Sequence, residues 1–454
     1  MAKLWQKRAK LDREIERFTV GDDYLLDRRL IPADAVASIA HAEMLSSIGI
    51  LTSGEFEDLK RELVRIIEDT RQGKFTVKLE DEDCHTAIEN RLTSVVGEVG
   101  KKIHTGRSRN DQVIAAIRLY AREFLLDFLN YSLELAESLV RFAEQEKDTP
   151  MMGRTHMQIA MPSSVGLWAA SYAEQLLDDL SIVRNAYQIN NMCPLGSAAS
   201  YGVPLPLDRK MVSDLLAFEK VQNNVLYVNN SRGKVESILL NAVEQVMLTL
   251  SKLAQDLILF SMSEFSYFTL PEEICTGSSI MPQKRNPGML ELIRAKTATV
   301  SALNMQVKGI IRGLPSGYNR DFQETKRAFM EGCDIGISSV RIMNLTISKL
   351  KVNREKIVKA FKAEIFATDR ALELVKEGMP FRDAYREVGL NLEKLRDYDP
   401  MEVIKTRTYQ GATGNLKLDL AKRGIEEARK WLNGEAGKVH EAIKKLTGIE
   451  VELY

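Results

Sequence analysis

The run Thr276-Gly277-Ser278-Ser279-Ile280-Met281-Pro282-Gln283-Lys284-Arg285-Asn286-Pro287 gathers adjacent hydroxyls, a lysine and a helix-start signature in one short stretch. Gly277 gives backbone freedom, Ser278 and Ser279 supply hydroxyls, and Lys284 supplies a fixed positive charge. Asn286-Pro287 reads as the N-cap and first position of a following helix, whose free N–H groups attract anions. Such a set suits stabilisation of negative charge that develops during a reaction. Glu291 falls on the first turns of that helix. A carboxylate there can orient an imidazole and stabilise its protonated form, and helix-dipole stabilisation explains it equally well.

Two further polar islands interrupt otherwise regular sequence. His104-Thr105-Gly106-Arg107-Ser108-Arg109-Asn110-Asp111-Gln112 reads either as a helix start capped by Ser108, Asn110 or Asp111, or as an anion site built on two arginines. Gly153-Arg154-Thr155-His156-Met157-Gln158 is expected to enter a helical run with Pro162 in its first turns. His156, one of five histidines, is a structural imidazole or a proton donor and acceptor with an unperturbed pKa of ~6.5.

The elements that must position these islands are long helices. The 454-residue chain has twelve prolines, none between Ala33 and Thr149 or between Leu207 and Leu270. Helices need not break in either stretch. Val235, Ile238, Leu239, Ala242, Val243, Val246, Met247, Leu250, Leu253, Ala254, Leu257 and Ile258 recur at helical spacing. A similar stripe runs through Ile117, Tyr120, Phe124, Phe128, Tyr131, Leu135 and Phe142, and further helical runs cover about 163–190, 289–308 and 326–350. Such helices bury their stripes by bundling, and apolar residues on several sides favour assembly between chains. The predicted fold is all-α, with a 1–105 N-terminal helical domain, a 106–360 central long-helix bundle and a 361–454 C-terminal helical domain.

Composition excludes some classes. The 63 basic residues equal the 63 acidic ones, so no chain-wide field draws nucleic acid or an anionic membrane. Cys84, Cys193, Cys275 and Cys333 are scattered without zinc spacing and read as reduced thiols. Met1–Lys10 is basic but runs into Asp12, Glu14 and Glu16 rather than an apolar segment, so it does not read as a signal peptide. No stretch approaches the ~18 uninterrupted apolar residues of a membrane span. A cytoplasmic protein without a metal site is expected.

The islands together resemble the three signature regions of the fumarase/aspartase superfamily, and the Gly277–Pro287 run matches its GSSxMPxKxNP loop at every defined position. Within that superfamily HTGRSRNDQV, EDCHTAIENRL at 82–92, GYNRDFQETK at 317–326 and GMPFRDAYREVG at 378–389 are similar to the argininosuccinate lyases in particular. The resemblance extends from Phe18 to the carboxy-terminal segment.

The resemblance implies a three-domain, fumarase/aspartase-like homotetramer whose central helices form a shared core, with each active site assembled from three chains. It implies reversible cleavage of argininosuccinate to arginine and fumarate, the closing reaction of arginine biosynthesis and part of urea-cycle chemistry, without metal or organic cofactor. By match to the family loop, Ser278 is the expected base, with Ser279 the fallback and Lys284 stabilising the intermediate. His156 with Glu291 is then expected on the leaving-group side, and the reverse assignment of the two protons stays open. Substrate contacts carried over by motif are Asp27, Arg109, Asn110, Thr155, Asn286, Tyr318, Gln323 and Lys326.

Two segments depart from the family pattern. Asp23, within Gly21-Asp22-Asp23-Tyr24, stands where the family usually has a serine four residues before the aspartate matched by Asp27. NNVLYVNNSRGK at 223–234 differs from the usual NSxDAVSDRD, with Arg232 matched to its arginine and no individual roles assigned. Two competing readings are a sister lyase acting on adenylosuccinate, aspartate or fumarate/malate, and a structural protein of the lens-crystallin kind. The HTGRSRND and YNRDFQETK runs argue against the first, and the presence of every proposed chemical residue argues against the second.

Overall fold

The computed structural model describes residues 12–454, so the basic stretch Met1–Lys10 lies outside the described residues. The elements that matter for the site are α1 (Ile31–Ser47), α2 (Ser53–Arg71), α3 (Cys84–Val96), α4 (Arg109–Gln145), β1 (Pro150–Thr155), β2 (Gln158–Ser164), α5 (Val165–Asn190), α6 (Lys234–Ser261), α7 (Gly288–Ile311), α8 (Thr325–Lys349) and α9 (Leu418–Thr447). Strands form only three two-stranded sheets among the described residues, so the chain is all-α as the periodicity requires.

The bundle follows from where the apolar stripes point. α6 buries Val235, Leu239, Ala242, Val243, Val246, Met247, Leu250, Leu253, Ala254 and Leu257, while Ile238 and Ile258 are half-buried at its margin. It packs against α5, α7 and α8, and α4 packs against α5, α8 and α9. Gly336 permits one of these contacts, because a Cβ there would sit 2.7 Å from Val243 Cγ1 and 3.2 Å from Phe128. The outer faces stay apolar in places: Leu248, Leu292, Met305, Ile342 and Leu345 are all exposed on α6, α7 and α8.

α4 begins at a capping box. The Ser108 side chain accepts from Asn110 N–H at 3.2 Å, and Asp111 accepts from Ser108 N–H at 2.9 Å. Asp111 is fully buried and its other oxygen accepts from Ala198 N–H at 2.8 Å, fastening the loop beyond α5 to the helix start. Burial pushes its pKa up to about 6 against the pull of these N–H groups.

Two local expectations are corrected. The Gly153–Gln158 island does not enter a helix with Pro162 in its first turns; it is the tip of the β1–β2 hairpin, with Met152 opposite Pro162 and Thr155 opposite Gln158. His156 and Met157 make the turn at φ 52° and 63°, and a register shift falls at Gly153. Pro162, which has no N–H to give, is accommodated on a two-stranded ribbon, and the helix starts only at Val165, where Ser164 caps Leu167 N–H at 3.0 Å. Likewise Asn286 is not an N-cap. It is extended and paired with Thr276, and Pro287 takes the cap position of α7.

Candidate active site

A cavity of about 220 Å³ lies where the start of α4, the start of α8 and the N-terminal turns of the chain meet. Its lining includes four carboxylates, Asp23, Asp27, Glu82 and Asp83, and four cations, Arg109, Arg232, Arg320 and Lys326. Asn110, Tyr318, Gln323 and His85 complete the polar part. Arg109 and Asn110 stand on the first turn of α4, whose start the Ser108 capping box fixes, and Lys326 stands on the first turn of α8, which continues from a short helical turn over Arg320–Glu324.

Lys326 is the centre of the charge arrangement. Its side chain is 1% exposed, its ammonium lies 2.8 Å from Asp23 Oδ1, and it also pairs with Asp27, itself fully buried. Burial alone would lower the lysine's pKa, but Asp27 and Asp23 more than reverse this and hold it above the ordinary value. Asp27 spends its second oxygen on Cys84 N–H at 3.0 Å, tying the start of α3 to this pair. Beside it His85 Nδ1 meets Asp34 at 3.0 Å; burial opposes its charge, and Asp34 raises the pKa past that effect.

Arg109 is braced by Glu82 at 3.2 Å and Asp83 at 3.3 Å. Gln323 donates to Thr19 and Val20 carbonyls at 3.1 and 3.3 Å, and the Arg232 guanidinium lies 6.0 Å from the Tyr318 ring centre. Glu82, Asp83, His85, Arg232 and Arg320 were not assigned as site residues from sequence. The EDCHTAIENRL run carried the signal for the first three, because adjacent acids ahead of a helix suit bracing of a nearby arginine.

The remaining sequence-predicted residues stand apart from this cavity in one chain. Thr155 and His156 are exposed at the hairpin tip, where the Arg154 guanidinium stacks 4.9 Å from the Phe265 ring. Ser278, Lys284, Asn286 and Glu291 belong to the loop before α7 and to its first turn, and none of them lines the cavity. Ser278 Oγ accepts from Met281 N–H at 3.1 Å, and Asn286 Nδ2 donates to Gly277 O at 3.1 Å. Lys284 and Glu291 are exposed. One chain therefore presents an amino-acid-sized zwitterionic cavity and, elsewhere, a hydroxyl, an imidazole and a lysine on projecting elements.

Asp27, Cys84 and His85 place ligand-type atoms within 4.8 Å of one another. The donor set is poorly suited to a metal ion. Asp27 is already neutralised by Lys326, His85 is engaged by Asp34, and burial followed by the charges of Asp27 and Asp34 pushes the Cys84 thiol well up, away from the thiolate a metal needs.

Residues 4–302 match the family model described as Lyase. An argininosuccinate lyase of Sorangium cellulosum is 45% identical over 428 residues, 94% of this chain and 99% of that one. One from Thermotoga neapolitana is 43% identical over 395 residues, 87% and 99% of the two chains. The chain belongs to the argininosuccinate lyase family. Among solved structures, an EDDS lyase in complex with formate superposes with a TM-score of 0.81 at 23% identity, covering 97% of this chain and 95% of that one. A class II fumarase from Schistosoma mansoni gives 0.70 at 18% identity over 85% and 94%. Both likenesses bear on the fold, which is that of the fumarase-like lyases. Family membership makes the chain a lyase, and the HTGRSRNDQV run that distinguished this family in the sequence forms the capped start of α4 at the cavity wall.

Proposed function

We propose that the protein catalyses reversible β-elimination of argininosuccinate to arginine and fumarate, with the cavity around Lys326 receiving the amino-acid end of the arginine moiety. The observation that carries this reading is family membership over 94% of the chain with each proposed chemical residue present. In the elimination a base takes the proton from the carbon beside a carboxylate, and the guanidino nitrogen leaves. Arginine's guanidine has a pKa above ~12, so the group must depart protonated.

Ser278 serves as the base, with Lys284, Asn286 and the loop N–H groups stabilising the doubly charged carboxylate intermediate. His156, supported by Glu291, attends the leaving group, and Thr155 contacts the substrate beside it. Arg109, Asn110, Tyr318, Gln323 and Lys326 hold the bound substrate, and Asp27 supports this set through its ion pair with Lys326. Nothing in this chemistry calls for a metal or organic cofactor.

A homotetramer would bring the two groups of residues together, each active site drawing on several chains. The apolar side chains left exposed on α6, α7 and α8 support such an assembly, as does the separation of Ser278 and His156 from the cavity within one chain. A division at about residues 105 and 360 is proposed as the domain organisation; Ala371, Ala384 and Val388 form a small core of their own within the carboxy-terminal segment, while Leu432, Val439 and Ile443 of α9 join the main core. No helix among the described residues is long and apolar enough to cross a membrane, and a cytoplasmic location accords with the four unpaired cysteines.

The test is fumarate release from argininosuccinate, followed as ultraviolet absorbance with purified protein. Steady release is expected. Absence of release together with turnover of adenylosuccinate would overturn the substrate assignment.

A further inference from the structure

We infer that Asp23, rather than Asp27, is the carboxylate that receives the α-ammonium of the arginine moiety, so that this residue sets the enzyme's demand for a free α-amino group. The inference rests on the reading above, because it assigns a role within the same cavity.

The two carboxylates differ in what they have left to give. Asp27 is fully buried and both of its oxygens are occupied, one by Lys326 and one by the Cys84 N–H at 3.0 Å. Its task is to hold the lysine and the start of α3. Asp23 lines the cavity, keeps 16% of its side chain exposed and has Lys326 at 2.8 Å as its one recorded ion-pair partner among the described residues. Its second oxygen is available to a ligand.

The surrounding charges point the same way. Among the described residues Lys326 is the one cation in ion-pair contact with both Asp23 and Asp27, and Arg232 acts on Asp23 from nearby without pairing with it. A substrate ammonium entering beside Asp23 makes a charge-assisted hydrogen bond there. Arg232, which also lines the cavity, is 4% exposed and its Nε has no hydrogen-bond partner, so a carboxylate on the same substrate carbon finds a cation in need of an acceptor. With four acids and four bases in the lining, a zwitterionic head group enters without leaving a net charge buried. The serine that the family pattern usually places here would supply a neutral hydroxyl instead.

Direct calorimetric binding of three probes to the full-length protein tests this: arginine, agmatine (ammonium without carboxylate) and 5-guanidinopentanoate (carboxylate without ammonium). Asp23→Ser should weaken arginine and agmatine by about tenfold or more, the loss expected for one charged hydrogen bond, and leave 5-guanidinopentanoate within about twofold. Asp23→Asn, which keeps the shape and removes the charge, should behave alike and provides a second variant if the first misfolds. Equal weakening of all three probes would mean that Asp23 only steadies Lys326, and unchanged arginine binding would mean that it touches nothing; either overturns the inference. Failure of wild-type protein to release fumarate from argininosuccinate would instead overturn the proposed function.

Discussion

Thr276 and Asn286 pair main chain to main chain: Thr276 N–H donates to Asn286 O at 3.0 Å, and Asn286 N–H donates to Thr276 O at 2.8 Å. The loop that carries Ser278 and Lys284 is thereby pinched at its base while its middle projects, with Ile280 83% exposed. A pinched, projecting loop can change its tip without disturbing α7. The Ser278 hydroxyl accepts from the N–H groups of Ile280 and Met281, so its own proton is not committed to the fold.

Ser278→Ala should therefore abolish fumarate release, by about a thousandfold or more, while shifting stability by no more than about 0.5 kcal/mol. Steady-state assays and denaturant unfolding measure the two effects. A rate within a few-fold of wild type excludes Ser278 as the base.

Lys326 and Lys284 should separate stability from turnover. Lys326→Ala strands two carboxylates around a buried void, which costs about 3–5 kcal/mol, because removing one partner leaves the others uncompensated. Lys284→Ala removes an exposed ammonium and should leave the unfolding midpoint nearly unchanged while the rate falls. Equal unfolding midpoints for the two variants would refute this account of Lys326.

The contrast between these lysines also shows what sequence could and could not reveal. Lys284 drew its proposed role from its immediate neighbours in the chain, the serines before it and the Asn-Pro after it. Lys326 taken by itself looks like a solvated helix charge; its burial depends on Asp23 and Asp27, which approach it from the far end of the chain. The long helices were readable from their stripes, since burial imposes a 3.6-residue period on sequence. The β1–β2 hairpin was not, because His156-Met157 is not a glycine- or asparagine-bearing turn and adopts positive φ without that signal. Glu82, Asp83 and Arg320 escaped notice because a brace for Arg109 or a carbonyl contact at Thr19 is defined only once the helices meet.

His104 should govern part of the acid sensitivity. Burial, then the charges of Arg107 and Arg109, pull its pKa from 6.5 to about 4. Below pH 6.5 the unfolded chain takes up a proton that the folded chain refuses until about pH 4, so stability present above that window is lost as pH falls through it. His104→Gln should flatten the decline in unfolding free energy between pH 7 and 4.5 by on the order of 2 kcal/mol. His41, also held neutral by burial, keeps its own share of the slope. An unaltered slope in the variant would show that His104 takes no part.

The separation of the cavity from Ser278 within one chain makes complementation a direct probe of a shared site. If Arg109 and Ser278 of one active site come from different chains, Arg109→Ala and Ser278→Ala each inactivate every site in a pure assembly. Unfolding the two proteins together and refolding the mixture redistributes chains, and a site drawing Arg109 from a Ser278→Ala chain and Ser278 from an Arg109→Ala chain is intact. Random mixing makes about a quarter of the sites of this kind, so activity should return to about that fraction. A site complete within one chain gives no such recovery, because each chain in the mixture still carries one lesion.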